Sequence, residues 1–153
     1  MIIGVISDTH GRISKKALEA LKGSKLIIHA GDVGGTKVLE ALEEIAPVYA
    51  VRGNTDLGRW AQALPKTQVV ELGDMSFYVL HNLEMLSIDP KSAGFDGVIY
   101  GHTHIPKEER QDGVLYFNPG SAGPKRFRLP ICLGRILVKN GEIDVEWIDL
   151  EGK

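Results

Sequence analysis

The sequence predicts an α/β protein with two β-sheets, and three observations support this fold class. Short apolar runs alternate with helical patterns through the first third of the chain, which is typical of βαβ units and a largely parallel sheet. Later apolar runs pair across turn dipeptides, which predicts a second, more antiparallel sheet. The chain has 153 residues, 43% apolar and 25% charged, so we expect a single globular domain over residues 1–153.

Three short strands and two helices account for the first third of the chain. Residues 2–6, 26–29 and 48–51 are short apolar runs rich in β-branched side chains, and each predicts a buried strand. The first helix is indicated by apolar residues at helical spacing before a closing glycine: Ile13, Ala17, Leu18, Leu21 and Gly23. Thr36 is the predicted cap of the second helix. The buried face of that helix comprises Val38, Ala41, Leu42 and Ile45.

The remaining strands are predicted from turn signals. Two pairs of runs flank such turns: residues 68–72 and 76–80 around Gly73-Asp74, and residues 133–138 and 143–148 around Asn140-Gly141. Asn-Gly is a strong hairpin signal because both residues tolerate positive φ. Residues 97–100 add another short strand. We assign these runs to the second sheet.

Composition excludes several classes of protein. With 18 basic and 20 acidic residues the net charge is −2, so the chain lacks the positive field of most nucleic-acid binders, and we expect no nucleic-acid partner. No apolar run approaches the roughly 20 residues of a membrane helix, and the N-terminus lacks a basic leader, so we expect a cytoplasmic protein without membrane association. The single cysteine, Cys132, stands among apolar residues and is expected to be a buried, inert thiol.

Polar side chains follow the predicted strands at the points where they end. In open α/β sheets, ligands bind outside the carboxyl ends of the strands. The candidate metal ligands in these loops are Asp8, His10, Asp32, Asn54, His81, His102 and His104. Imidazole nitrogen and carboxylate oxygen suit divalent Mn, Fe, Co, Ni and Zn. A strand-end Asp taken alone is usually a turn former, and a lone histidine is usually structural, but five such loops together favour a metal site.

The number and spacing of these side chains predict two ions. Seven ligands are too many for one ion with an open position, but they suit two ions roughly 3.5–4 Å apart. In an extended segment, residues i and i+2 point the same way, so Asp8 can converge with His10, and His102 with a second histidine two residues on. Asp32 stands alone in its loop and is the natural bridge. Glycines would let the backbone come close to the ions: Gly31, Gly53 and Gly101. His29, inside its strand, is expected to be a core residue or to support a ligand.

The loop sequences resemble those of the calcineurin-like metallophosphoesterase family, in particular its small single-domain prokaryotic phosphodiesterase branch. The resemblance rests on Ser7-Asp8-Thr9-His10-Gly11, His29-Ala30-Gly31-Asp32-Val33, Val51-Arg52-Gly53-Asn54-Thr55-Asp56, His81, Tyr100-Gly101-His102-Thr103-His104 and Phe117-Asn118-Pro119-Gly120-Ser121. These segments occur in the family's order over most of the chain. The family fold is a four-layer αββα arrangement, in which two mixed β-sheets pack as a sandwich between flanking helices.

The resemblance implies which residues bind each ion. One metal takes Asp8, His10, Asp32 and His104, and the other takes Asp32, Asn54, His81 and His102. The implied reaction is hydrolysis of a small phosphate ester, most simply a phosphodiester, by a hydroxide that bridges two divalent ions, with manganese as our first choice. Catalytic roles are expected for Asn54, Asp32 and His102.

Two positions depart from the family pattern. Many members have a histidine directly after the asparagine, where it aids the leaving group, and the small branch often has cysteine there, but this chain has Thr55. His81 usually has a glycine beside it, whereas here it precedes Asn82. The first departure bears on the general acid, and the second bears on the backbone near one metal.

Two other functions are alternatives. A eukaryotic relative in the retromer coat keeps the fold as a protein-binding scaffold without metal chemistry, but every expected ligand type is present here. A nuclease of the same family would use a basic segment such as Lys125-Arg126-Phe127-Arg128, although such a run is more often a solvated loop. The sequence leaves the oligomeric state open, including a homo-oligomer.

Overall fold

The computed structural model describes residues 1–151, whose strands form two five-stranded sheets. The elements in chain order are β1 (Ile2–Ile6), α1 (Lys15–Leu21), β2 (Leu26–His29), α2 (Thr36–Glu43), β3 (Val48–Ala50), β4 (Thr67–Leu72), β5 (Met75–Leu80), β6 (Gly97–Ile99), β7 (Lys107–Gln111), β8 (Val114–Asn118), β9 (Cys132–Lys139) and β10 (Glu142–Asp149). Short 3₁₀ turns lie at Trp60–Ala63 and Leu83–Met85. The predicted fold class of two sheets with flanking helices is confirmed.

The two helices begin in different ways. The Ser14 hydroxyl accepts a hydrogen bond from the Ala17 N–H at 3.1 Å and caps α1. The prediction that Thr36 caps α2 is wrong, because Thr36 is the first helical residue and Gly35 precedes it without a side-chain bond. Val38 and Leu42 form the buried face of α2, as predicted, while Ile45 lies beyond the helix end.

The first sheet has the order β10-β9-β1-β2-β3. Strands β1, β2 and β3 are parallel, whereas the β9–β10 hairpin joins β1 in antiparallel register, with Ile2 opposite Leu137. The assignment of this hairpin to the second sheet is therefore wrong. The pairing extends to the N-terminus, because the Val138 N–H donates to the Met1 carbonyl at 2.8 Å.

The second sheet has the order β4-β5-β6-β8-β7. The predicted β4–β5 hairpin is present, but β5, β6 and β8 are parallel, so this sheet is mixed rather than mainly antiparallel. The β7–β8 hairpin was not predicted. Its signal is present in the sequence, since Asp112-Gly113 precedes the apolar run at residues 114–117.

The main core lies between the two sheets. It joins buried side chains of the first sheet to those of the second, including Ile3, Val5, Ile28, Val70, Phe77, Leu115 and Phe117. The two helices cover the outer face of the first sheet, while Leu83 and Leu86 pack on the outer face of the second. Each fully buried large apolar side chain contributes about 1.5–3 kcal/mol. This packing brings the loops of both sheets to one edge of the sandwich.

Hydrogen bonds between the strand-end loops hold that edge together. The loop after β1 bonds to the loop after β2 through the Asp8 N–H to the Gly31 carbonyl at 3.0 Å. The loop after β6 bonds to the end of β5 through the Gly101 N–H to the His81 carbonyl at 2.9 Å. The two sheets are linked where the His102 N–H donates to Asp8 Oδ2 at 3.2 Å. In residues 1–151, no helix has the length and apolarity needed to cross a membrane.

Candidate metal centre

Three of the predicted ligands meet at the end of β1, and we call Asp8, His10 and His104 the first ligand group. Asp8 Oδ1 lies 3.3 Å from His104 Nε2 and 3.9 Å from His10 Nε2. The ligand atoms of all three residues lie within 4.8 Å of one another. Such spacing suits donors that surround one cation.

Three more predicted ligands meet beside the first group, and we call Asn54, His81 and His102 the second ligand group. Asn54 Oδ1 lies 3.0 Å from His81 Nε2 and 3.1 Å from His102 Nδ1. The two imidazole rings are edge to face, with their centroids 5.1 Å apart. The second group therefore draws on both sheets, as the first group does.

Asp32 lies between the two groups. Its Oδ2 atom is 3.9 Å from His10 Nε2 and 3.2 Å from His81 Nε2. Asp8 also reaches toward the second group, since its Oδ1 is 3.9 Å from His81 Nε2. The structure thus places all seven predicted ligands in one cluster, with Asp32 in contact with a histidine of each group.

Each carboxylate is held by one oxygen and presents the other to imidazole. Asp8 Oδ2 accepts hydrogen bonds from the Ser7 hydroxyl at 2.7 Å and from the His102 N–H at 3.2 Å. Asp32 Oδ1 accepts from the Thr55 N–H at 2.9 Å. The opposite oxygens, Oδ1 of Asp8 and Oδ2 of Asp32, face the histidines. Protein donors therefore fix the direction of both carboxylates.

Five of the seven candidate ligands have left-handed backbone conformations. Their φ values are 56° for Asp8, 48° for His10, 56° for Asp32, 73° for His102 and 66° for His104. The convergence of Asp8 with His10 thus comes from two left-handed residues, not from the extended segment that we expected. Such residues cost roughly 1–3 kcal/mol each and cluster at functional sites. The only signal in the sequence is that Asp and His are enriched at these conformations.

Glycines allow the ligand loops to pack closely. A Cβ atom at Gly31 would lie 2.6 Å from His81 Nδ1, and one at Gly53 would collide with the Asp32 side chain. A Cβ at Gly101 would likewise collide with Ser7. The predicted close approach is therefore present, and it serves the ligand side chains and the residues that support them.

Charge on Asp32 and His81 is mutually stabilised. Burial would raise the pKa of Asp32, but hydrogen bonds from His81 and from the Thr55 N–H lower it well below its ordinary value. Burial would lower the pKa of His81, but the Asp32 carboxylate raises it above its ordinary value. His81 Nδ1–H donates to the Ala30 carbonyl at 2.7 Å, which directs Nε2 into the cluster.

His29 supports the cluster from the core. The Gly31 N–H donates to His29 Nδ1 at 3.1 Å, and His29 Nε2–H donates to the Thr9 hydroxyl at 2.9 Å. That hydroxyl donates in turn to the Val33 carbonyl at 2.8 Å. Burial lowers the pKa of His29 to about 4, so the ring is neutral near pH 7. The expectation of a core residue is confirmed, and the side chain of His29 ties the Asp8 loop to the Asp32 loop.

Asp56, the last residue of the motif around Asn54, is a supporting residue to which the sequence analysis assigned no role. Its Oδ2 accepts from the Val33 N–H at 3.1 Å and the Gly53 N–H at 2.9 Å, and its Oδ1 accepts from the Gly34 N–H at 2.9 Å. The side chain is buried. Asp56 therefore joins the Asp32 loop to the Asn54 loop, and its position two residues after Asn54 was the only signal.

The residues of the cluster fit divalent metal ions. Three buried side-chain atoms have no hydrogen-bond partner within residues 1–151: Asp8 Oδ1, His10 Nε2 and His104 Nδ1. Leaving such atoms unpaired costs about 1–3 kcal/mol each. Asp8 Oδ1 and His10 Nε2 lie 3.9 Å apart, so these two atoms together indicate a place for a ligand. Carboxylate oxygens with imidazole nitrogens form a donor set for borderline divalent ions.

The two positions that depart from the family pattern have defined surroundings. Asn82 Oδ1 accepts from the Glu84 N–H at 3.0 Å and caps the 3₁₀ turn. Thr55 is exposed, and its N–H is engaged by Asp32.

Two further sequence expectations concern residues away from the cluster. The expected burial of Cys132 is confirmed, and burial raises the pKa of its thiol to about 11, which disfavours the reactive thiolate. In the basic segment at residues 125–128 every residue is exposed, and Phe127 has 94% of its surface accessible.

Comparisons with known proteins show the family and the fold of the chain. Residues 1–141 match the model of the calcineurin-like phosphoesterase superfamily domain. The chain is 32% identical to a probable metallophosphoesterase of Methanothermobacter thermautotrophicus over 97% of this chain and 92% of that protein. It is 29% identical to the phosphodiesterase YfcE of Escherichia coli over 85% of this chain and 84% of that one. The solved structure of an archaeal phosphodiesterase superposes on this chain with a TM-score of 0.80 and 29% sequence identity. The superposition covers 97% of this chain and 100% of the archaeal protein.

Proposed function

Because this chain belongs to the calcineurin-like phosphoesterase superfamily and is a metal-dependent phosphoesterase, we propose that it hydrolyses phosphodiesters at a centre of two divalent ions. The observation that carries the proposal is the convergence of seven nitrogen and oxygen donors, three of which have unpaired buried atoms. The ligands come from loops of both sheets, so we also propose that residues 1–153 act as one catalytic domain.

We assign one ion to the first ligand group and one to the second, with Asp32 shared. The support for sharing is that Asp32 Oδ2 faces His10 and His81, one histidine from each group. Manganese remains our first choice, with Fe, Ni, Zn and Co as alternatives, because all five accept mixed imidazole and carboxylate donors.

Two divalent ions held there would supply Lewis acidity, lowering the pKa of a shared water toward about 7 and so making hydroxide available to attack phosphorus. The remaining tasks belong to the chain. Asn54 is exposed, and its Oδ1 faces two histidines, which leaves its side-chain NH₂ free to donate to a phosphoryl oxygen. His102 is also exposed, and its Nδ1 lies 3.1 Å from Asn54 Oδ1, so we assign it the task of orienting the ester together with Asn54. Stabilising phosphoryl charge is the main requirement of such reactions.

Thr55 limits the leaving groups that the enzyme handles well. A hydroxyl does not donate a proton near neutral pH as imidazole does. We therefore expect activated esters, such as nitrophenyl diesters, to react best.

Metal removal tests the proposal. A chelator should abolish hydrolysis of bis(4-nitrophenyl) phosphate, and added Mn²⁺ should restore it. Asp8→Asn should lower the restored rate by more than the roughly 10–100-fold that loss of a supporting partner costs. Asp74→Asn is the matched control, since this carboxylate lies in the exposed turn between β4 and β5. Full activity in chelator, with no bound metal by elemental analysis, would overturn the proposal. No hydrolysis and no bound metal, even with added Mn²⁺, would leave the scaffold alternative.

A further inference from the structure

A cavity of about 550 Å³ opens beside the second ligand group and shares Asn54 and His81 with it. Its apolar wall is formed by Leu57, Leu80 and Met85. Leu57 is 75% exposed and Met85 is 73% exposed. Large apolar side chains exposed together beside a polar site are typical of a surface that receives a ligand.

Two cations line the same cavity. Arg52 and Lys66 both contribute to its wall, and neither forms a salt bridge within residues 1–151. The backbone brings them together, because the Arg52 N–H donates to the carbonyl of Pro65, the neighbour of Lys66, at 2.8 Å. Their charges are therefore available to an anion in the cavity.

The one acidic residue in the cavity wall is already engaged. Asp56 accepts hydrogen bonds from three backbone N–H groups and is buried. Its carboxylate therefore does not compete for Arg52 or Lys66, and two cations against one carboxylate leave a net positive wall.

We propose that this cavity binds the organic group of the substrate, and that this group has an apolar body and carries a second anionic substituent. The proposal rests on the phosphodiesterase function proposed above. The ester phosphate lies at the ligand groups, the body of the organic group packs on Leu57 and Met85, and a further phosphate or carboxylate pairs with Arg52 and Lys66. The volume of the cavity falls in the range of roughly 300–1,000 Å³ that is typical of small-molecule sites. This volume is far larger than a methyl ester needs.

The anionic contact is tested with two product-like ligands, phenyl phosphate and 4-carboxyphenyl phosphate. Their dissociation constants are measured by calorimetry on Mn²⁺-loaded protein, and their inhibition constants against bis(4-nitrophenyl) phosphate. We expect the carboxylate to tighten binding about tenfold in the wild type, because a hydrogen bond to a charged group is stronger than one between neutral groups, although solvent screens part of it. Arg52→Gln and Lys66→Gln should each reduce this preference at least threefold. The matched controls Arg59→Gln and Lys91→Gln, at exposed positions outside the cavity wall, should keep it.

The apolar contact is tested with phenyl phosphate against inorganic phosphate. Phenyl phosphate should bind the wild type more tightly than inorganic phosphate does. Leu57→Asn and Met85→Gln should reduce this ratio of affinities severalfold, whereas Arg52→Gln and Lys66→Gln should leave it unchanged. The proposal is overturned if the wild type shows no preference for the carboxylate, or if neither cation variant alters it. Failure of the proposed function is a separate result, namely no metal-dependent hydrolysis, and calorimetry still decides the cavity in that case.

Discussion

The two ligand groups differ in burial and in hydrogen bonding. In the first group, Asp8 and His104 are buried, and the three unpaired atoms found in residues 1–151 all belong to this group. In the second group, Asn54 and His102 are exposed, and the amide oxygen of Asn54 lies within hydrogen-bond distance of both imidazoles. The first group therefore offers a cation ligand atoms that lack hydrogen-bond partners, whereas the second group offers ligand atoms that already have protein partners.

This difference indicates that the two ions bind unequally. A buried atom without a partner loses its hydration and gains nothing in return, so a cation that contacts Asp8 Oδ1 and His10 Nε2 recovers that cost at these two atoms. A cation at the second group must replace contacts that the side chains make with one another. We therefore expect tighter binding at the first group and an exchangeable ion at the second.

The largest expected effect comes from the residue that the two groups share. Asp32→Ala should lower the bound metal from two equivalents toward none, whereas Asp8→Ala should keep about one equivalent at the second group. Elemental analysis after dialysis against low metal distinguishes them. Equal metal content in the two variants would remove the bridging assignment, because Asp8 also comes within 3.9 Å of His81.

A smaller effect should follow from a change in the second group alone. Asn54→Ala should retain the first ion with nearly wild-type affinity and lose the second, giving one equivalent and little hydrolysis. In the wild type, a Mn²⁺ titration should show two steps with affinities that differ at least tenfold, or about 1.4 kcal/mol. Two ions bound to Asn54→Ala as tightly as to the wild type would show that the groups are not separate.

The support of the first group predicts a pH dependence of stability. His29 has a pKa of about 4 when folded and about 6.5 when unfolded, so the unfolded chain binds more protons below pH 6.5. The contribution of His29 to the free energy of unfolding is therefore highest above pH 6.5 and falls as the pH drops toward 4. The free energy of unfolding should decrease by about 2 kcal/mol between pH 7 and pH 5 for this reason.

Urea unfolding of chelator-treated protein at the two pH values measures this loss. In His29→Gln, the loss of unfolding free energy between pH 7 and pH 5 should be about 2 kcal/mol smaller than in the wild type. All other histidines are common to both proteins. Equal pH dependence in the two proteins would mean that His29 does not remain neutral in the folded chain.

The smallest expected effect concerns Thr55, at the exposed mouth of the second group. The rate should fall steeply from nitrophenyl to alkyl esters, since protonation matters more for a basic leaving group. Thr55→His should flatten the dependence of kcat/KM on leaving-group pKa, and Thr55→Val should leave it unchanged. A shallow dependence in the wild type would show that another group already protonates the leaving oxygen.

The sequence predicts local elements better than the partners of those elements. β1, β2 and the β4–β5 hairpin follow directly from apolar runs and turn dipeptides. The β9–β10 hairpin was also recognised, but its pairing with β1 depends on contacts between residues more than 130 positions apart, such as Ile2 with Leu137. Periodicity does not encode such contacts.

The candidate site shows the same limit. Side-chain chemistry at strand ends was sufficient to select all seven clustered residues, because the loops of parallel strands meet at one edge. The left-handed backbone of residues such as Asp8 and His104 was not predictable, since it is imposed by packing between loops. The role of Asp56 was also hidden, because two of its three backbone partners, Val33 and Gly34, lie in another loop that meets this one only in the folded protein.

A crystal structure of the protein with Mn²⁺, with anomalous diffraction to locate the metal, tests the central claim most directly. Two unequal anomalous peaks are predicted. The stronger peak should lie among Asp8, His10, Asp32 and His104, and the weaker among Asp32, Asn54, His81 and His102. One peak alone at saturating Mn²⁺, or a stronger peak at the second group, would contradict a two-ion centre whose first group binds more tightly.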